Sequence, residues 1–151
     1  MATHAPTDGA RTPLHLWIIG ALALVWNGFG ATDYTMTRLR NTDYLATMMH
    51  GVDPNATLAY IDSLPLLAGI GWGFGVWGAL VGTLLLLARR RHAVIAYLAS
   101  LVGAVVSFSI QLTRDNTPEG MDDPVIPIVI TTIALGLLLY ASAMRKRGVL
   151  R

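Results

Sequence analysis

Residues Gly69 to Leu87 read GIGWGFGVWGALVGTLLLL, six glycines in one apolar run. The run is long enough for a helix across a bilayer, which needs about 20 residues. In water, glycine costs about 1 kcal/mol relative to alanine inside a helix. In lipid that objection weakens, because the backbone hydrogen bonds must stay within the segment whatever its propensity. What glycine then offers is close approach of two helix axes. At about 100° per residue, Gly71, Gly75, Gly78 and Gly82 fall on one narrow stripe.

The next segment carries the same spacing in Ala96, Ser100, Gly103 and Ser107. Only the basic turn RRRH, Arg89–His92, joins the two, so they must run antiparallel. Reflection about Arg89 puts residues equally far from the turn at equal depth. It pairs Gly82 with Ala96, Gly78 with Ser100, Gly75 with Gly103 and Gly71 with Ser107. The two stripes are expected to face each other in a close hairpin. A second reading of the glycines is a slot for a flat ligand such as a quinone or pigment, walled by Trp72 and Trp77. Tryptophan near a membrane boundary otherwise serves as an interface anchor.

Working outward, four segments are apolar enough to cross a bilayer: Leu14–Ala31, Leu64–Ala88, Ala93–Leu112 and Val125–Met144. The fold expected is an all-α membrane protein. It has four transmembrane helices in one up-down bundle over residues 1–151, with residues 1–12 as a flexible tail. Composition agrees, since only 13% of residues are charged against about 25% in soluble domains. The first segment reads as a crossing and not as a cleaved leader, because its apolar run is long and ends in WNGFGATDY without a clear small-x-small cleavage site.

Charge placement sets the expected orientation. Arg11, Arg89, Arg90, Arg91, Arg145, Lys146, Arg147 and Arg151 fall on one side of four crossings, and Arg38, Arg40 and Arg114 on the other. The positive-inside rule then places both termini in the cytoplasm. Because the charges are split between two faces, the basic pI of about 9.3 does not point to nucleic acid. The chain has no cysteine, which removes disulfides, thiolate metal sites and thiol nucleophiles. Its four histidines, 4, 15, 50 and 92, show no metal-ligand spacing, and no cofactor motif is present. No nucleophile-base pair, phosphate loop or zinc helix is present either, so the chain is not read as an enzyme.

Asn27, in LVWNGFG, lies within the first apolar segment, where an unpaired amide is costly. It should face the bundle and bond to a neighbour, with Gln111 and the Thr131–Thr132 pair as candidate partners. Asp33 and Tyr34 follow in GATDYTMTRLR. Arg38 or Arg114 is expected to neutralise Asp33 at the outer boundary, and Tyr34 and Arg38 are helical neighbours. Asn27, Asp33, Tyr34, Gln111 and Trp72 together form the candidate intramembrane polar or ligand site. In the outer connection Thr32–Ser63, Asp53 and Pro54 signal the start of a short helix. The stretch DDPVIP repeats the device, with Asp123 capping and Pro124 opening the last helix.

The segments LWIIGALALVWNGFGATDYTMT, GVWGALVGTLLLLARRRHAV and YASAMRKRGVLR resemble a family of small four-helix bacterial membrane proteins often labelled "sugar transporter". The resemblance implies a compact protein of the bacterial inner membrane. It supplies no site, since a sugar-binding constellation would want several carboxylates or amides beside an aromatic platform. Two functions are therefore expected. The first is a non-catalytic structural or accessory membrane component, embedded in the lipid bilayer as a homo-oligomer or within a larger complex. The second is a small oligomeric transporter or carrier of a sugar-like solute or lipophilic ligand, favoured if Asn27, Gln111 and Asp33 line one cavity.

Overall fold

The computed structural model describes residues 12–118 and 121–151. The expected flexible tail therefore lies outside the described residues, Thr12 excepted, as do Asp8, Arg11 and Glu119. The described chain is helical throughout: α1 Leu14–Arg38, α2 Thr42–Met48, α3 Pro54–Ser63, α4 Leu66–Leu87, α5 Ala93–Leu112 and α6 Val125–Lys146. α1, α4, α5 and α6 are long and apolar enough to cross a membrane. The protein is thus a small integral membrane protein by the length and composition of its helices.

Local sequence explains most helix boundaries. α1 continues beyond Ala31 because the hydroxyls of Thr32 and Thr35 turn back onto the Gly28 and Ala31 carbonyls, at 3.0 and 2.7 Å, and leave the ladder intact. Asn41 then caps α2 by accepting from the Tyr44 N–H at 2.9 Å. Asp53 caps α3 by accepting from the Asn55 N–H at 3.0 Å, with Pro54 as the first helical residue. Asp123 accepts from the Val125 N–H at 2.8 Å. Pro124 sits one position earlier than expected, at the cap itself and not inside the helix.

The spans pack in a row. α4 and α5 form the tightest pair, α1 packs on α4 and α6 packs on α5, while α1 and α6 have almost no direct packing. They meet near the arginine turn, where His15 Nδ1 and the Tyr140 hydroxyl lie 2.6 Å apart. The buried core gathers at that same end, from Leu16 and Ala23 of α1 through Leu86 and Tyr97 to Leu137, Ala141 and Met144 of α6. We call it the turn end, and the opposite one, carrying α2 and α3, the loop end.

The turn end is closed by the last residues of the chain. Gly148 adopts φ +71°, the left-handed conformation that ends α6, and the Val149 N–H returns to the Met144 carbonyl at 3.0 Å. This folds Val149 and Leu150 under the bundle, where both are buried. Arg151 then pairs with the arginine turn, the Arg91 N–H donating to its carbonyl at 2.9 Å and its own N–H to the Arg89 carbonyl at 2.8 Å. The Arg89 guanidinium donates to Thr12 Oγ1 at 2.7 Å. The basic C-terminal residues are thus built into the fold.

Candidate functional site

The glycines of α4 serve two neighbours. Added Cβ atoms on Gly71 and Gly78 would stand 2.8 Å from the Gly103 carbonyl oxygen and 3.0 Å from the Ser100 nitrogen, so these faces lie against the backbone of α5. A Cβ on Gly103 would reach 2.5 Å from the Gly71 carbonyl oxygen and 2.8 Å from the Gly75 nitrogen. The Ser100 hydroxyl donates to the Gly75 carbonyl at 2.6 Å, and Ser107 abuts Gly71. At the turn end Gly82 meets the ring of Tyr97, 2.8 Å from its would-be Cβ, where depth alone suggested Ala96. Gly69 and Gly73 face α1 instead, where added Cβ atoms would meet the Arg38 guanidinium and the Tyr34 hydroxyl, each at 3.2 Å. α5 fills the space beside Gly71, Gly78 and Gly82, and the open space lined by Trp72 and Trp77 lies beside Gly69 and Gly73 instead.

Tyr34 lies edge-on to Trp72, with ring centroids 4.6 Å apart, and 6.3 Å from Trp77. The Arg38 guanidinium covers Tyr34 and Trp72 at 5.4 and 5.6 Å from their centroids. This is a cation stacked on an aromatic pair. A groove of about 590 Å³ runs past it toward Asp62 of α3.

Asn27 is buried and donates to Thr83 Oγ1 at 2.8 Å and to the Ala79 carbonyl at 3.4 Å. Thr83 also lies 2.9 Å from the Tyr97 hydroxyl. The amide is thus tied across α1, α4 and α5 by a chain of hydrogen bonds. Neither expected partner takes part. Gln111 donates to Ser107 Oγ at 3.0 Å on its own helix, and Thr131 and Thr132 form no bond to Asn27. Thr83 sits in the run GTLLLL, where a hydroxyl reads as bonding its own preceding carbonyl. It does so, to Ala79 at 2.9 Å, and bridges as well.

Asp33 is partly buried, and its partner is Tyr44 of α2, whose hydroxyl donates to Oδ1 at 3.4 Å. Neither expected arginine reaches it. Arg38 is committed to the aromatic pair, and Arg114 donates to the Ser63 carbonyl at 3.0 Å. Arg40 pairs with Asp62 at 2.9 Å. Desolvation, and then the Asp33 carboxylate itself, push the Tyr44 phenol above its ordinary range, which keeps it a donor.

Because α1 and α6 diverge from the turn end, a cleft of about 480 Å³ opens between them. Its floor is Gly75, Ala79, Ser100 and Ala104 of the central pair, its α6 wall Val129, Ile130 and Ile133, and its α1 wall Trp26, Phe29 and Gly30. Asn27 and Asp33 both line it, Trp72 and Ser107 also contribute, and Met48 of α2 and the following Met49 line it too. Gln111 and Tyr34 do not line it. Three polar groups that line it bond to the protein: the Ser100 hydroxyl donates to Gly75, the Asn27 amide N–H to Thr83, and Ser107 Oγ accepts from Gln111.

No family model, curated protein or solved structure matches the chain.

Proposed function

We propose that the protein is a non-catalytic component of the bacterial inner membrane that holds a small lipophilic molecule in the cleft between α1 and α6. The observation that carries this reading is a space of about 480 Å³ walled by apolar side chains from all four spans, within the usual volume of about 300–1,000 Å³ for ligand sites. A sugar suits it poorly, because the lining is mostly apolar and the Asn27 amide N–H and the Ser100 hydroxyl already donate to the protein. A site that binds hydroxyl-rich solutes needs free donors and acceptors in fixed positions.

The accessory reading has its own support. α6 packs mainly on α5 and exposes Val125, Ile128 and Leu139, a face that a partner span or second copy would cover. A partner helix does not fit inside the cleft, however. Ten residues of helix about 10 Å across occupy roughly 1,200 Å³.

Purification from native membranes, followed by mass spectrometry of co-purifying molecules, tests the two readings. The expected result is a lipophilic molecule that accompanies the wild type and is lost from Val129→Trp, which fills the cleft from its exposed wall. A stoichiometric protein partner with an empty cleft in both forms would replace the ligand reading with the accessory one.

A further inference from the structure

We infer that the ligand of this cleft is a lipophilic cation, of the quaternary ammonium or aryl-phosphonium type, with its charge held by Asp33. The inference rests on the cleft being the ligand site proposed above.

Three observations carry it. The first is a deficit of counter-charge. Asp33 projects, partly buried, from the loop-end part of α1 into an apolar cleft, where an ionised carboxylate calls for a cation. Every arginine at the loop end is occupied elsewhere: Arg38 on the Tyr34 ring, Arg40 on Asp62, Arg114 on Ser63. His50 is exposed and forms no ion pair with Asp33. Tyr44 supplies one phenol at 3.4 Å and no charge.

The second observation is the neighbourhood. Trp26, Phe29 and Asp33 stand at i, i+3 and i+7, one stripe of α1 that forms the cleft wall. Both aromatic residues are among the exposed large side chains of the fold, so their faces are free for a ligand. Aromatic faces beside a carboxylate are the chemistry that recognises quaternary cations.

The third is desolvation. A compact ammonium is strongly hydrated and would lose that water among Val129, Ile130 and Met48. A cation with its charge spread under apolar groups loses much less. An anionic lipid headgroup is disfavoured by Asp33 itself.

The test uses the full chain in detergent micelles with two probes of the same shape, tetraphenylphosphonium and the neutral tetraphenylsilane, measured by equilibrium dialysis. The wild type should bind the cation at least about tenfold more tightly, a difference of about 1.4 kcal/mol. Asp33→Asn should bring the two affinities within about threefold of each other, or roughly 0.7 kcal/mol. Asp33→Glu should restore the preference, and Tyr44→Phe should leave it in place. Equal affinities in the wild type overturn the inference without any variant, as does a preference that survives Asp33→Asn. If the two probes bind the wild type equally and both are lost in Val129→Trp, the cleft stands and the charge assignment alone fails. If neither probe binds, both fall.

Discussion

The hydroxyl of Tyr97 on α5 lies 2.9 Å from Oγ1 of Thr83 on α4, and that oxygen accepts the amide of Asn27 from α1 at 2.8 Å. One threonine thus joins three spans. Thr83→Val keeps the shape and removes the bridge, leaving a buried amide and a buried phenol without this partner. Hydrogen bonds between membrane helices average about 0.6 kcal/mol and reach about 1.7. Because two are lost at once, a destabilisation of about 1–2 kcal/mol is expected, read as a lower thermal midpoint in detergent. Tyr97→Phe, which removes one, should cost about half as much. Equal effects of the two variants would show that Thr83 does not bridge.

Among the glycines, the close approaches separate two cases that look alike in the sequence. Gly103→Ala puts a methyl group 2.5–2.9 Å from backbone and Cβ atoms of α4. It should force the central pair apart, at about 1–3 kcal/mol for overpacking. Gly75→Ala meets Ala104 at 3.4 Å, ordinary contact, and should leave stability nearly unchanged. Gly136 of α6 has nothing within 4 Å, and alanine there should be neutral or stabilising. Thermal melts of the three variants in one detergent check the order.

The closed turn end predicts that the last residues contribute to stability. Leu150 is buried beneath the arginine turn, so Leu150→Ala should cost about 2–5 kcal/mol, as other buried leucines do. Gly148 sits at φ +71°, and alanine there should cost about 1 kcal/mol through the left-handed backbone alone. A melt unaffected by Leu150→Ala would mean that the tail is loose.

Because the natural chain contains no cysteine, single cysteines can report its sidedness. A cysteine at Arg90 in the arginine turn is expected to react with an impermeant thiol reagent from the cytoplasmic side, and one at Asn55 in α3 from the opposite side. Labelling of both from the same side is incompatible with the single crossing by α4 between them and with the orientation read from the arginines.

How much of this was legible in the sequence depends on the range of each interaction. The glycine stripe could be read because helix period and a four-residue turn fix both rotation and depth, and Gly71, Gly78 and Gly103 do lie against the opposing backbone. The inner end departs because the large Tyr97 ring seeks the gap at Gly82, one residue along from Ala96. Asn27 could be recognised as needing a partner, but Thr83 could not be picked out, since its hydroxyl is satisfied within its own helix in any case. The expected Asp33–Arg38 pairing overlooked the helix itself: five residues place the two side chains about 140° apart, and Arg38 falls on the aromatic side. Tyr44 reaches Asp33 only because α2 folds back over the end of α1, a tertiary arrangement with no local signature. The cleft has the same origin, in two helices that do not pack along their length.

That row-like packing has a mechanical consequence. Since α1 rests on α4 and α6 on α5, with almost nothing shared between the outer pair, spreading the two outer helices at the loop end meets no direct α1–α6 packing. Near the His15–Tyr140 contact they remain joined by a common core. The molecule is built like tongs, with its outer arms joined at one end of the bundle and apart at the other.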